Sequence, residues 1–240
     1  MIIIGNGRLI TRNAAEPYYE NGAVVTENEL IKETGTTAEM RLKYPDAEFV
    51  DARGGVIMPA FINAHTHIYS ALARGLSIAG YNPTNFYEVL DGMWWKIDRS
   101  LTLEDTRRSA YTTIIDCIKT GCTTIFDHHA SFCQIEGSLF AIADAAKALG
   151  IRACLCYEVS ERDGEKKCDE SIEENRSFID HCERENDPML KAMFGGHALF
   201  TIGDKTFEKC VKANGGRTGF HIHVCEGMND VYDSMKNYGY

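Results

Sequence analysis

The chain has 240 residues, of which 44% are hydrophobic, and this is enough to bury a sizeable core. Its 35 acidic and 25 basic residues give a formal net charge of −10, which argues against nucleic acid as a partner, because proteins that bind polyanions carry a basic surface. No apolar run reaches the roughly 18 residues of a membrane span, and the opening MIII is too short for a signal peptide. Nine cysteines without a Cys-x-x-Cys pair predict reduced thiols in a cytoplasmic protein.

The first 55 residues predict short strands joined by turns. MIII is followed by the turn sequence GNG, and GAVVTENELIKETG has the pattern of a β-hairpin. AEFVDARGG predicts a further strand that ends at a glycine pair. The segment contains no histidine, and we assign no chemistry to it.

From residue 56 onward, strand-like apolar runs alternate with helical segments. The predicted strands are Val56–Ala64, Thr123–Asp127, Arg152–Tyr157, Lys191–His197 and Thr218–Val224. The predicted helices are Leu103–Thr120, Ile135–Leu149, Glu170–Glu185, Thr206–Ala213 and Met228–Asn237. Strands that alternate with helices indicate βαβ units and a parallel sheet. A complete eight-stranded barrel takes about 250 residues, so the pattern predicts only part of one.

Histidines gather where the predicted strands end. Seven of the eight lie there, namely His65, His67, His128, His129, His197, His221 and His223. The eighth, His181, lies in a predicted helix and is interpreted as a helix-surface residue. In a (β/α) barrel the carboxyl ends of the strands face the active site. The histidine pattern therefore predicts a site on that rim.

Two histidine pairs have the spacing of metal ligands. Residues at i and i+2 on a strand point to the same face, so His65 and His67 direct two imidazoles to one place. One such pair is equally compatible with two half-buried polar residues at a strand end. HIHVCE repeats the spacing with His221 and His223 and adds Glu226, which could move protons beside a metal-bound water. Spacing does not decide which of these two histidines is the ligand, and we favour a packed interior position for His221.

Four motifs, in the same order, resemble the amidohydrolase superfamily in its deaminase and chlorohydrolase branch. They are MPAFINAHTHIYSALARG, GCTTIFD, GGHALFT and HIHVCEG. The first 55 residues resemble half of the β-sandwich of that family. The resemblance implies an α/β fold: a partial (β/α)8 TIM-type barrel of about five βα units over residues 56–240. Residues 1–55 would be the N-terminal part of a composite β-sandwich.

The resemblance also implies a metal site. Its ligands would be His65, His67 and His223, and Glu226 would carry protons. Binuclear relatives use a modified lysine at the end of the fourth strand, whereas Lys191 lies at the start of that strand. We therefore expect one divalent ion; zinc is favoured and iron is compatible, because imidazole suits both.

Further residues near the rim have implied or open roles. His197 matches a substrate-contacting position of the family. His128 and His129 are adjacent, so only one can face inward, and each is compatible with a substrate contact or a plain rim position. Cys225 lies beside the site, and we interpret it as a small buried thiol.

The activity that the resemblance implies is hydrolytic deamination of an aminated N-heterocycle, such as a purine, a pyrimidine or a triazine. Metal binding would lower the pKa of water to about 7, and Glu226 would pass a proton to a ring nitrogen as ammonia leaves. The expected partner is this small molecule, with neither nucleic acid nor membrane; a homo-oligomer is compatible. One alternative is a truncated, inactive metal-binding remnant. The other is a cyclic-amide hydrolase, but the mononuclear site and HVCE favour deamination.

Two expected site residues have no counterpart in the chain. The family has a histidine at the sixth strand and an aspartate at the eighth. No histidine follows His223, and Asp230 and Asp233 come too early in the sequence. We therefore expect an N-terminal portion of an enzyme that is inactive alone, with an exposed sheet edge that favours self-association.

Overall fold

The structure is a computed structural model that describes residues 1–239. It divides into two compact units, of which the first is Met1–Ala60 and the second begins at Phe61. Among the helices of residues 1–239, none has the length and apolar character needed to cross a membrane.

The first unit is a five-stranded sheet with one short helix, α1 (Thr37–Lys43). Its strands are β1 (Ile2–Ile10), β2 (Tyr18–Glu27), β3 (Leu30–Thr36), β4 (Glu48–Asp51) and β5 (Val56–Ile57). β2 and β3 pair antiparallel, which confirms the predicted hairpin, and β4 and β5 both run parallel to β1. The assignment of this unit to a composite sandwich stays a prediction.

The prediction of one continuous strand over Val56–Ala64 is wrong. Val56–Ile57 pairs with β1 in the first unit, whereas the barrel strand β6 covers Phe61–Thr66 and pairs with the next strand of the second unit. Pro59 lies between the two segments. A proline has no N–H to donate to a ladder, so it interrupts the apolar run that the pattern joins.

The second unit contains parallel strands and the helices that connect them. The strands after β6 are β7 (Cys122–His129), β8 (Arg152–Tyr157), β9 (Leu190–Ala192), β10 (Phe194–Ala198) and β11 (Phe220–His223). The main helices are α4 (Leu103–Lys119), α5 (Ser138–Leu149), α6 (Glu165–Glu185), α7 (Asp204–Asn214) and α8 (Met228–Tyr238). β6 to β9 form one parallel sheet, and β10 and β11 form a parallel pair. This arrangement confirms the predicted α/β partial barrel.

A helical segment between β6 and α4 was not predicted. A 3₁₀ helix (Ile68–Ala73) comes first. It is followed by a continuous run of α2 (Phe86–Val89), a π-helical turn (Leu90–Trp94) and α3 (Trp95–Asp98). Elements of four or five residues are too short to show a helical period in the sequence.

The helix ends follow capping chemistry. α4 begins with a capping box in which the Thr102 side chain accepts from the N–H of Asp105. Gly121 and Gly150, which follow α4 and α5, have φ of 84° and 70°, and this confirms both predicted glycine stops. α6 begins at Glu165, ahead of the predicted Glu170, because its charged first turn carries no apolar signal.

The core of the second unit lies between the strands and helices α4, α5 and α6. Ile114, Ile125, Ile142, Leu155 and Phe178 are fully buried in it. It supports the outer side of the strands, so that their carboxyl ends are held in one rim.

Asn175 of α6 connects the sheet β6 to β9 with the strand pair β10 and β11 of the second unit. Its Oδ1 accepts from the N–H groups of Tyr157 and Gly195, at 2.9 and 3.1 Å, and its Nδ2 donates to the carbonyls of Tyr157 and Ser171, at 2.8 and 3.1 Å. A Cβ at Gly195 would overlap the carbonyl oxygen of Tyr157. The close approach of β8 and β10 therefore requires both this amide and this glycine.

Replacing Asn175 with alanine should lower the free energy of unfolding by about 3 kcal/mol, because it leaves buried N–H and C=O groups without partners. Urea denaturation would measure the change. The control is Asn82→Ala in an exposed loop, which should stay within about 0.5 kcal/mol of the unchanged chain. Equal stability of the two variants would contradict the role of Asn175.

Candidate metal centre and substrate cavity

Three histidines from the first and last parallel strands converge. His65 and His67 come from the end of β6, and His223 is the last residue of β11. One nitrogen of each lies within 4.8 Å of the others. The ring centroids are 4.8 Å apart for the β6 pair, and 5.0 and 5.1 Å from His65 and His67 to His223. The fold thus brings together the three side chains that the sequence predicted as ligands.

Backbone carbonyls fix the tautomers of two of these rings. Nδ1 of His67 lies 2.8 Å from the carbonyl oxygen of His128, and Nδ1 of His223 lies 3.0 Å from that of His197. A carbonyl oxygen can only accept, so each Nδ1 carries the proton and donates it. Each Nε2 of the neutral rings is therefore left with a free lone pair.

The two free lone pairs face each other. Nε2 of His67 lies 3.2 Å from Nε2 of His223. No proton is available for a hydrogen bond between neutral rings in these tautomers, and a cation between the two lone pairs would stabilise their approach. Two nitrogens bound to one tetrahedral zinc at 2.0–2.1 Å are about 3.3 Å apart. The spacing and the chemistry of the donors fit a zinc-type ion.

His65 and His221 form a second contact between the same strands. Nδ1 of His65 lies 2.8 Å from Nε2 of His221. If His65 donates this hydrogen bond, its own Nε2 is free to face the other ligands, as metal-bound histidines usually require. His221 is half-buried, and its ring packs 5.1 Å from that of His128. His223, rather than His221, is the member of this pair that joins the three-histidine group.

His128 and His129 point to opposite sides of β7, and both are fully buried. The ring of His128 packs 4.3 Å from that of His223, and its Nε2 donates to the Gly196 carbonyl at 2.9 Å. The ring of His129 packs against Tyr157 instead. Within residues 1–239 neither ring lines the cavity beside the histidine group, so a substrate contact by either stays a prediction without structural support.

Glu226 lies just beyond β11, beside the histidine group. Nitrogen or oxygen atoms of Glu226, His197 and His223 lie within 4.8 Å of one another. Burial raises the pKa of Glu226 to about 6, and the charges of Asp230 and Glu158 act in the same direction. A carboxyl group with this pKa can both take up and release a proton near neutrality.

Cys225 is exposed, which contradicts the predicted buried thiol. The residue has φ of 57°, in the left-handed region, where the chain leaves β11. This backbone turn places the side chain outside the packed strand end.

A cavity of about 300 Å³ opens beside the histidine group. Its lining residues are His65, His67, Tyr69, Ser70, Phe86, Leu90, Trp94, Trp95, Glu158, His197, His223 and Glu226. Imidazoles and carboxylates form one part of the wall, and the segment between β6 and α4 supplies the aromatic part. An apolar cavity with a few convergent polar groups is typical of a small-molecule site, and its aromatic faces suit a flat ring.

A buried ionic group on this wall was not predicted from the sequence. Glu158 directly follows β8 and is 3% exposed. Nη2 of Arg162 lies 3.0 Å from Oε1 of Glu158 and 2.6 Å from Oδ2 of Asp98. The guanidinium also lies over the ring of Trp95, 5.1 Å from its centroid. The sequence contains one indication of this residue: Glu158 directly follows a predicted strand, as the histidines follow theirs.

The two acids of this group differ in protonation. Burial opposes ionisation of Glu158, but the Arg162 guanidinium, together with the neighbouring imidazoles in their protonated form, outweighs burial and lowers the pKa of this carboxyl to about 2. Burial raises the pKa of Asp98 to about 7 against the attraction of Arg162. Glu158 is therefore the ionised carboxylate that faces the cavity at neutral pH.

Residues 56–240 match the model of the Amidohydrolase family. The chain belongs to this family. Residues 22–47, in the first unit, match an imidazolonepropionase-like composite domain of bacteria.

The curated relatives that this chain resembles include deaminases. It is 29% identical over 239 residues to 5'-deoxyadenosine deaminase of Methanosarcina barkeri, covering 99% of this chain and 52% of that protein. It is also 29% identical over 242 residues to 5-methylthioadenosine/S-adenosylhomocysteine deaminase of Syntrophomonas wolfei, with the same coverage. The chain thus spans about half the length of these relatives.

Solved structures with this fold include two proteins with bound zinc. An adenosine deaminase from Xanthomonas campestris superimposes with a TM-score of 0.79 at 21% identity, covering 99% of this chain and 52% of that one. Atrazine chlorohydrolase from Arthrobacter aurescens gives 0.78 at 21% identity, with coverages of 100% and 56%. Together with the curated relatives, they confirm the resemblance to the deaminase and chlorohydrolase branch of the family.

Acid should destabilise the protein partly through His129. Burial lowers the pKa of this ring to about 3, whereas the unfolded chain binds the proton below about pH 6.5. The free energy of unfolding should therefore fall as pH drops below 6.5, by about 2 kcal/mol at pH 5 from this residue. His129→Gln can still donate a hydrogen bond to Ser131. Between pH 7 and pH 5, its free energy of unfolding, measured by urea denaturation, should therefore fall by about 2 kcal/mol less than that of the unchanged chain. An unchanged loss would contradict this origin of acid sensitivity.

Proposed function

We propose that the chain forms the N-terminal half of the barrel of a metal-dependent aminohydrolase that releases ammonia from an aminated N-heterocycle. The observation that carries the proposal is the 3.2 Å approach of two imidazole Nε2 atoms, His67 and His223, beside the carboxyl group of Glu226. Two lone pairs held this close need a cation, and the carboxyl group lies where a proton must be moved.

His65, His67 and His223 would hold one divalent ion, with zinc favoured. Three neutral imidazoles suit zinc and leave a fourth position open for water. Zinc is also present in the adenosine deaminase and chlorohydrolase structures that share the fold. When bound, the ion supplies an activated water as nucleophile near neutral pH.

Glu226 is the proton carrier of the proposed reaction. With a pKa of about 6, it accepts a proton from the attacking water and delivers it to a ring nitrogen or to the leaving amine. Glu226 follows β11 and lies beside His223, and it is not one of the three proposed metal ligands. The reaction consumes one water and releases one ammonia.

His197 is the proposed orienting residue. Its Nδ1 lies 2.7 Å from Oγ1 of Thr201, and that hydroxyl donates to the Ala198 carbonyl at 3.0 Å. The hydroxyl proton is thus committed, so Nδ1 of His197 donates to Thr201 and Nε2 is left as an acceptor. An acceptor on the cavity wall can hold an N–H group of a ring.

The aromatic side chains of the cavity exclude water from the ring. Phe86, Trp94 and Trp95 lie in the segment between β6 and α4 and line the cavity with Tyr69. Flat apolar faces can hold a heterocycle by stacking and shield the reacting carbon from bulk water.

The relatives support a ring amine over a cyclic amide as substrate, because the curated ones are named as deaminases. The imidazolonepropionase-like match covers residues 22–47, which contain none of the cavity residues. It therefore gives no support to cyclic-amide hydrolysis.

The chain itself should bind one zinc ion through the three histidines. His67→Ala should abolish stoichiometric binding, and His221→Ala should weaken it by about 10–100-fold through loss of the contact to His65. Zinc would be measured by elemental analysis after gel filtration and by competition with a chelator. The control His181→Ala lies on α6, outside the group, and should bind as the unchanged chain does. Full zinc retention by His67→Ala would refute the site.

Glu226→Gln in the full-length protein should lower kcat by about 10²–10⁴-fold, because it removes the proton carrier. Zinc content should be unchanged, since the three imidazoles remain. Ammonia release from a panel of aminated heterocycles is the assay. Glu208→Gln, on the exposed face of α7, is the matched control and should keep its turnover. A Glu226→Gln enzyme as fast as this control would remove Glu226 from the mechanism.

A further inference from the structure

Within the described residues 1–239, Glu158 has one carboxylate oxygen that no hydrogen-bond donor reaches. Oε1 accepts from Arg162, whereas Oε2 lies 3.7 Å from Nδ1 of His128, which is beyond hydrogen-bond distance. Because His128 donates through Nε2 to the Gly196 carbonyl, its Nδ1 is a lone pair in the neutral ring. Nδ1 is indeed without a partner within residues 1–239. Oε2 therefore remains an open acceptor at the cavity.

Glu158 and His197 both line the cavity, and both offer acceptors to it. His197 offers Nε2, because its Nδ1–H is donated to Thr201. Glu158 offers its Oε2, because the hydrogen bond from Arg162 is made to Oε1 and leaves Oε2 available. A ligand that complements these two groups must present hydrogen-bond donors to them.

An open carboxylate oxygen discriminates strongly between ligands. Enclosing it against an acceptor or a methyl group leaves a buried charge without compensation. Meeting it with an N–H forms a charge-assisted hydrogen bond, which is the stronger kind. A site built around such a group rejects analogues that lack the donor far better than an apolar pocket rejects an extra methyl group.

We propose that Glu158 is a specificity-determining residue that selects heterocycles with a ring N–H, or a second amino group, in addition to the amino group that reacts. The inference rests on the proposed aminohydrolase function and deepens it. It favours bases such as guanine or cytosine, whose edges carry an N–H. It disfavours the base of 5'-deoxyadenosine, in which no ring nitrogen carries a hydrogen and the only N–H donor is the amino group that reacts.

The experiment compares matched probes in the zinc-loaded full-length protein. The pairs are cytosine with 1-methylcytosine and guanine with 1,9-dimethylguanine, whose methylated members carry no ring N–H, and 5'-deoxyadenosine is a separate arm. We expect kcat/KM for the N–H member of at least one pair to exceed that of its methylated partner by about 100-fold or more. Glu158→Gln should reduce this ratio to about 10-fold or less, with unchanged zinc content. The steric effect of the methyl group is the same in the unchanged protein and in Glu158→Gln, so the difference between their two ratios reports on the carboxylate alone.

Two further variants separate recognition from structure. Asp98→Asn disturbs the same arginine but leaves Glu158 in place, so it should keep the preference for the N–H member. Glu158→Asp retains the charge and should keep the order of preference, and it serves as the test if the glutamine variant does not fold. An equal loss of preference in Asp98→Asn and Glu158→Gln would overturn the proposal in favour of a structural role.

The outcomes distinguish this inference from the proposed function. Wild-type protein that deaminates both members of each pair equally, or a Glu158→Gln variant that keeps the preference, would overturn the inference and leave the aminohydrolase function standing. A loss confined to 5'-deoxyadenosine would assign Glu158 to sugar hydroxyls and overturn the ring assignment. Wild-type protein that releases no ammonia from any probe would refute the proposed function, and the inference with it.

Discussion

Two backbone carbonyl groups set the chemistry of the site. The carbonyls of His128 and His197 hold the protons of His67 and His223 on Nδ1, so that both Nε2 atoms meet as lone pairs 3.2 Å apart. These carbonyls belong to β7 and β10, which means that strand pairing, rather than any side chain, selects the tautomers. The sheet geometry of the second unit thus places two lone pairs where the proposed metal ion would bind. A cation bound between them would relieve the repulsion of these lone pairs.

The negative charge of the buried acids around this site is unequally distributed. One positive guanidinium, Arg162, lies between two buried acids, Asp98 and Glu158. Burial protonates Asp98 more easily than Glu158, so the negative charge is concentrated on the acid that lines the cavity. The same guanidinium packs over Trp95. Arg162 therefore links the polar and the aromatic parts of the cavity wall.

Much of this arrangement can be predicted from the sequence, because it depends on local rules. The two-residue spacing of His65 and His67 on a strand, and the position of histidines after apolar runs, are sufficient to bring the candidate ligands to one rim. The break at Pro59 was missed because apolar composition continues across it. Glu158 was missed because an acid after a strand has no distinctive spacing, and only the contact with Arg162 explains its burial. Long-range ion pairs leave no periodic pattern in a sequence.

The π-helical turn Leu90–Trp94 has a consequence for how such a cavity can change over evolutionary time. A π-helical turn contains one residue more than an α-helical turn closed by the equivalent hydrogen bond. Here that turn precedes α3, and Trp94 and Trp95 on either side of the boundary both line the cavity. Because the extra residue is absorbed within the turn, loss of a single codon would restore regular α-helix, change the side chains that the turn presents to the cavity, and leave the direction of the following helix nearly unchanged. One deletion could therefore change the shape of the cavity wall, while the barrel strands and their histidines keep their register.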